Sequence, residues 1–251
     1  MPRYFLELAY KGTRYSGFQI QDNATSIQQE VEKALGVFFR TAFTLTGSSR
    51  TDTGVHAAQN FFHFDYEGVI EQRVLYNINA ILPPDIALKN IYPVAPDAHC
   101  RFDAISREYR YHIYREKDPF LVDRAWFYPY TLDRDRLKAA ANLVPGFEDF
   151  TSFAKRNTQV KTFLCTIHES YWEEEENGLV YRVKANRFLR GMVRGLVGTM
   201  LQVGRGKLSV EEFAGILQKR DNQLADFSAP GHGLFLYRVY FPVSLLSVHT
   251  K

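Results

Sequence analysis

Arg3-Tyr4-Phe5-Leu6-Glu7-Leu8-Ala9-Tyr10 alternates: Tyr4, Leu6, Leu8 and Tyr10 fall on one side of an extended chain, the period of a half-buried strand. The segments after it decide which fold this strand opens. Ser26 with Gln29 three residues on is a capping-box pattern, and Ile27, Val31, Leu35 and Phe38 then recur at helical spacing. Short strands are expected over residues 43–46 and around 60–65. A second helix over 70–81 ends before Pro83-Pro84, and residues 86–94 read as another strand. The order is β-α-β-β-α-β.

After Asp103 the pattern restarts with a strand carrying Tyr109, Tyr111 and Ile113 on one face. A helix over 133–144 stops at Pro145-Gly146, and strands follow near 160–172 and 180–185. The acidic run Glu173 to Glu176 with Asn177-Gly178 makes the polar tip between them. A helix over 188–203, a second one opened by the capping box Ser209 and Glu212, and a last strand over 234–241 complete the chain. The expected fold is therefore α+β. It has two ferredoxin-like (RRM-like) halves, residues 1–104 and 105–251, the second with one helix added. Their sheets, mixed or antiparallel, are expected to join and leave a central cleft.

With 251 residues of which 45% are hydrophobic, the chain buries a real core, which excludes disorder. No apolar run approaches the roughly 18 residues of a membrane helix, and Met1-Pro2-Arg3 leads straight into a patterned strand, so a cytoplasmic protein is expected. Cys100 and Cys165 form no CxxC pair and read as small core residues of a reducing compartment. The net charge of +3 is unevenly spread: residues 1–104 hold 9 Lys/Arg against 11 Asp/Glu, and residues 105–251 hold 22 against 17. From Arg182 to Lys207 stand seven basic residues and no acidic one, which points to an anionic partner.

The most distinctive local sequence is Gly47-Ser48-Ser49-Arg50-Thr51-Asp52-Thr53-Gly54-Val55-His56-Ala57. In an extended segment, residues i and i+2 point the same way, so Arg50 and Asp52 face one surface together. Alone, the stretch also reads as a turn in which Gly54 supplies a positive φ. One dominant carboxylate does not fit glycoside hydrolysis, which usually needs two. His56, His63 and Asp65 lack further ligands at metal-binding spacing, so no metal is expected. Gly204-Arg205-Gly206-Lys207 fails as a phosphate loop, because Leu201 stands at the first glycine position and Leu208 follows Lys207. On the helix after Asn186, Arg187, Arg190 and Arg194 share a face opposite the stripe Leu189, Val193, Leu196, Val197 and Met200. In Arg107-Glu108-Tyr109-Arg110-Tyr111, alternation puts the tyrosines on one side, as core residues or as a stacking surface for a base, and basic residues on the other.

Together these stretches resemble the tRNA pseudouridine synthase A family. The resemblance rests on Ser49 through Ala57, Tyr109-Arg110-Tyr111, Lys184-Ala185-Asn186 through Arg194, and Ala229-Pro230 with Gly233-Leu234-Phe235-Leu236. Tyr10-Lys11-Gly12, Tyr15 to Gln19, Gln21, Ser26-Ile27-Gln28 and Arg101-Phe102 match as well, so order and spacing agree over nearly the whole chain. Ser49, Phe18 and Ile20 depart from the family's usual Gly, Trp and Arg. The resemblance implies the pseudouridine synthase fold and conversion of uridine to pseudouridine in tRNA, at nucleotides 38 to 40 of the anticodon stem-loop. It implies that Asp52 is the essential aspartate, that Arg50 assists nucleotide flipping and that Tyr109 stacks on the uracil. It further implies that Arg194 pairs with Asp52 and that Leu234 lines the uracil pocket. RNA is expected along Lys184, Arg187, Arg190, Arg110, Gln19 and Gln21, with tRNA held by a homodimer. The competing readings are a related synthase acting on other RNA uridines and a non-catalytic RNA-binding module, which would not need Asp52.

The isomerisation detaches uracil from C1′ and rejoins it through C5 without redox change or an external group, so no cofactor is expected. Asp52 serves either as nucleophile at C1′ or as base at C2′, and both roles need the ionised carboxylate.

Overall fold

The computed structural model describes residues 1–155 and 160–246. The chain forms an α+β protein of two compact units, Met1–Ser106 together with the segment from Leu236 on, and Arg107–Phe235. In the first unit β1 (Arg3–Tyr10) lies between two antiparallel neighbours, β3 (His56–Asp65) and β4 (Ile86–Val94), with Leu6 opposite Phe62 and Ile91. The two-residue β2 (Thr46–Gly47) borders β3. Helices α1 (Ile27–Phe39) and α2 (Val74–Ile81) complete the expected β-α-β-β-α-β order. Ser26 caps α1 by accepting from the Gln29 amide at 3.3 Å.

Tyr4, Leu6, Leu8 and Tyr10 are all buried, but so is Phe5, so β1 is covered on both faces rather than one. The cover on the Phe5 side comes from the end of the chain. Phe241 packs against Phe5 and, edge-on at 5.0 Å, against Phe61. The Ile105 amide donates to the Tyr240 carbonyl and the Val239 amide to Gln59 Oε1. The sequence reading divided the chain at residue 104 and kept everything later in one half; these contacts tie the residues from Leu236 on to the first unit. Glu7 points to the same side, where Gln59, Asn90 and Tyr92 each donate to its carboxylate at 2.7–2.8 Å.

Residues 43–45 do not form the expected strand. Side chains of α1 take the backbone groups a ladder would use: Glu32 accepts from the Leu45 amide and Gln28 donates to the Leu45 carbonyl, both at 2.9 Å. The second helix, α2, begins at Val74 rather than near residue 70; Gln72, just before it, bonds Lys89, Asn90 and Ile91 of β4 through its side chain.

In the second unit β5 (Ser106–Tyr114) pairs antiparallel with β8 (Gly178–Ala185), and β8 with β7 (Ile167–Glu175). A short β6 (Trp126–Phe127), missed in the sequence, runs parallel to β5. The β7–β8 turn is Glu176-Asn177, and Glu173 to Glu175 belong to the strand. Three helices follow the expected order: α3 (Arg134–Leu143), capped by Asp133, α4 (Met192–Gly204), and α5 (Val210–Lys219), where Ser209 and Glu212 make the full reciprocal capping box. The last strand, β9 (Leu234–Tyr240), runs from the second unit into the first.

The helix expected from residue 188 is shorter. Gly191 adopts φ 76, a left-handed conformation that ends the preceding irregular turn and lets α4 start only at Met192. Arg187 and Arg190 therefore precede the helix, and the cationic face once drawn through them and Arg194 is not a helix face; only Arg194 stands on α4. The apolar stripe survives, with Val193, Leu196, Val197 and Met200 buried.

Two helical glycines give opposite expectations. A Cβ on Gly198 of α4 would stand 2.2 Å from the Asp226 carbonyl oxygen, whereas one on Gly215 of α5 would meet nothing within 4 Å. Gly198→Ala should lower stability by about 1 to 3 kcal/mol through overpacking, and Gly215→Ala should raise it by roughly 0.5 to 1 kcal/mol through helix propensity. Urea melts of both variants check the pair of signs.

Candidate active site

The segment from Ser48 to Val55 joins β2 to β3, and the first unit holds it residue by residue. The Ser48 amide donates to the Phe61 carbonyl at 2.8 Å, and the Ser49 carbonyl accepts from Asn60 Nδ2 at 2.9 Å. Thr51 is buried, its hydroxyl 2.8 Å from the Tyr10 phenol and its carbonyl accepting from the Phe18 amide at 3.1 Å. Because Thr51 points inward, its neighbours point out: Arg50 is exposed and Asp52 half-buried, as the i, i+2 argument requires. The Asp52 carbonyl then accepts from the Val55 amide across a turn in which Gly54 takes φ 77, as its place in the sequence suggested.

The floor under this turn is the segment 12–18. The Gly12 amide donates to His56 Nδ1 at 3.0 Å, so this fully buried imidazole, if neutral, carries its proton on Nε2. A Cβ on Gly12 would lie 1.9 Å from the Val55 carbonyl oxygen, so only glycine permits the approach. Gly17, at φ 104, sits against the Thr51 carbonyl. Phe18 is buried and stacks on Phe62 at 4.5 Å, while the neighbouring Gln19, Ile20 and Gln21 are exposed, with Gln21 donating to the Ser16 carbonyl.

Tyr109, Arg194 and Leu234 belong to the second unit. Tyr109 is buried on β5 with its ring edge-on to Phe188 at 4.9 Å. Arg194, on the first turn of α4, is half-buried and its Nε donates to the Ala229 carbonyl at 2.6 Å. Tyr111 is fully buried and donates to the next carbonyl, Pro230, at 2.8 Å, and Gly233 lies against its ring. Burial pushes the Tyr111 phenol well above its ordinary range, so it stays protonated and a donor. The Ala229-Pro230 pair thus anchors an arginine and a tyrosine through its backbone, a function that side-chain reading did not find. Pro230, which fixes the local backbone, was the available signal. Leu234 follows directly and is buried.

The expected RNA-contacting residues divide into two kinds. Arg190 is exposed and Arg187 half-buried. Lys184 is 3.5 Å from Glu169, and Arg110 donates to Glu108 at 2.9 Å with both side chains largely buried. The side of β5 opposite the tyrosines therefore holds an acid and a base together and is not the basic side expected. Of the residues weighed as metal ligands, His63 lies 3.2 Å from the Cys100 thiol and Asp65 pairs with Arg3 at 2.7 Å. No group of three or more His, Cys, Asp or Glu among the described residues is arranged to hold a metal ion. Both cysteines are buried and outside any disulfide, and no helix among the described residues is long and apolar enough to cross a membrane.

A family model described as tRNA pseudouridine synthase matches residues 139–242. A tRNA pseudouridine synthase A of Bacteroides thetaiotaomicron is 44% identical over 255 residues, covering 100% of this chain and 95% of the relative. The chain belongs to the tRNA pseudouridine synthase A family. Proteins of the same name from Parabacteroides distasonis, 43% identical over 99% of both chains, and from Staphylococcus saprophyticus, 39% identical over 95% of this chain and 90% of the relative, extend the match. The family model does not reach the Asp52 loop, whereas these relatives span it. As a member of the tRNA pseudouridine synthase A family the chain is an enzyme, an isomerase.

Burial, reinforced by His99 and Arg3, lowers the His63 pKa to about 4. The unfolded chain takes up this proton near 6.5 and the folded one only near 4, so the stability contributed by neutral His63 is complete above about pH 6.5 and is lost as pH falls toward 4. Urea melts at pH 7.5 and pH 5 should show lower stability at pH 5, and His63→Gln should narrow the difference.

Proposed function

We propose that this chain converts uridine to pseudouridine in tRNA, at nucleotides 38 to 40 of the anticodon stem-loop, with Asp52 as the reacting carboxylate. The observation that carries the reading is the full-length relation to proteins named tRNA pseudouridine synthase A, joined to a loop that presents Asp52 and Arg50 from one pinned threonine. In the reaction the C1′–N1 bond breaks, a C1′–C5 bond forms and the C5 proton is given up while N1 gains one, so atoms and electrons balance within the substrate. Asp52 either attacks C1′ or removes the C2′ proton. Each role requires the carboxylate form, and the family resemblance assigns Arg194 as its partner. The bond from its Nε to Ala229 fixes the plane of the guanidinium.

A uridine in a stem is unreachable until it leaves the stack, at a cost of about a few kcal/mol. The exposed Arg50 braces the vacated space and holds phosphate. Tyr109 offers the ring on which the uracil stacks, and Leu234 an apolar wall. Arg187, Arg190, Lys184, Arg110, Gln19 and Gln21 contact the RNA. A 251-residue chain has a radius of gyration of about 18 Å, too small to reach the tRNA elbow and anticodon arm together, so the enzyme works as a homodimer in the cytoplasm.

Purified protein in EDTA should release tritium from C5-labelled tRNA, and no release would remove the enzyme reading at this substrate. Asp52→Asn should cut turnover by more than about 100-fold while tRNA affinity is kept. Arg194→Met should slow the reaction while tRNA affinity is kept; a normal rate places Arg194 elsewhere. Light scattering should give twice the chain mass.

A further inference from the structure

Three polar side chains in the interior of the first unit take no part in the chemistry above, yet they converge on the loop that carries it. Asn60, on β3, is fully buried. Its Oδ1 accepts from the Phe61 amide at 2.9 Å, and its Nδ2 donates to the Ser49 carbonyl at 2.9 Å and to the Tyr10 phenol at 3.2 Å. One partner can only donate and one can only accept, so the amide has a single orientation. The Tyr10 and Thr51 hydroxyls share the next bond, at 2.8 Å, and all three residues are buried.

Packing alone does not ask for these groups. Phenylalanine at position 10 and leucine at 60 would fill similar space, and burying an amide and two hydroxyls is costly unless each is bonded. What the network achieves is local. It holds the backbone at Ser49 and the side chain at Thr51, the residues flanking Arg50, and Thr51 directly precedes Asp52. The Phe18 amide fixes the Thr51 carbonyl as well. Thr51 is thereby held by both side chain and main chain, and the directions of Arg50 and Asp52 follow from it.

We infer that Asn60, Tyr10 and Thr51 are positioning residues that hold the Asp52 carboxylate at its reacting angle, an inference that rests on the reading of Asp52 as the reacting group. A misplacement of about 1 Å costs on the order of 100-fold in rate. Binding of tRNA, which does not use these buried groups, stays the same.

The test compares single-turnover rates and tRNA dissociation constants for Tyr10→Phe and Thr51→Val, each losing one hydroxyl, with Thr51→Ser, which keeps it. Tyr4→Phe is the control: it lies on the same strand, and its hydroxyl bonds the Gly68 carbonyl and Ile70 amide instead of the loop. Tyr10→Phe and Thr51→Val should slow the reaction by roughly 10- to 100-fold with dissociation constants unchanged within about twofold. Thr51→Ser should restore most of the rate, and Tyr4→Phe should lower the melting temperature while keeping it. Thr51→Val is close to isosteric and carries the test if Tyr10→Phe fails to fold. Parental rates in Tyr10→Phe and Thr51→Val, or losses no larger than in Tyr4→Phe, would overturn the inference. Asp52→Asn runs in parallel: turnover there defeats the underlying reading, whereas a dead Asp52→Asn beside a normal Thr51→Val defeats only the positioning role.

Discussion

The approach of Gly12 to Val55 sets the geometry on which the candidate site depends. A methyl group at Gly12 would stand 1.9 Å from a carbonyl oxygen, and the same glycine donates to the buried His56 imidazole. With the backbone of segment 12–18 laid directly on the turn 52–55, Phe18 can bond Thr51 and Gly17 can pass beneath it. The loop thereby gains the order of a strand without belonging to one. A half-buried carboxylate beside an exposed arginine is the outcome, and the cost of ordering so polar a segment is met by hydrogen bonds from elements already fixed in the sheet.

The elements legible in the sequence are those whose signal is local. The strands Arg3–Tyr10 and Ile86–Val94 have their expected bounds, and α1 and α5 start at the serine caps read from the sequence. The errors share a cause of longer range. Residues 43–45 have strand composition, but Glu32 and Gln28, on a helix, claim their backbone groups. The expected second helix also starts late, at Val74, with Gln72 before it bonded to β4. At Gly191 a single positive φ removed four residues from α4, and with them the apparent cationic helix face.

The candidate site was legible in its charged residues and less so in its support. Arg50, Asp52 and the Gly54 turn stand out because small and charged residues are rare in such concentration. Tyr10 reads as one apolar tooth of an alternating strand and as part of the Tyr10-Lys11-Gly12 match, and Asn60 only as part of another strand, since nothing in a one-dimensional pattern says that a buried ring carries a bonded hydroxyl. The anchoring of Arg194 and Tyr111 by the Ala229 and Pro230 carbonyls had only Pro230 as its signal, because the acceptors are backbone groups.

The return of the chain's end to the first unit has a consequence for synthesis. Phe5 and Phe61 are covered by Phe241, so the opening strand waits until Phe241 has been translated before its second face is sealed. A ribosome releasing residues in order exposes that aromatic surface throughout elongation. The first unit cannot mature as an independent vectorial intermediate, and a nascent chain halted after Phe235 would carry the Asp52 loop on a sheet with one side open. Translation thus couples maturation of the loop that bears the carboxylate to the arrival of β9 and Phe241.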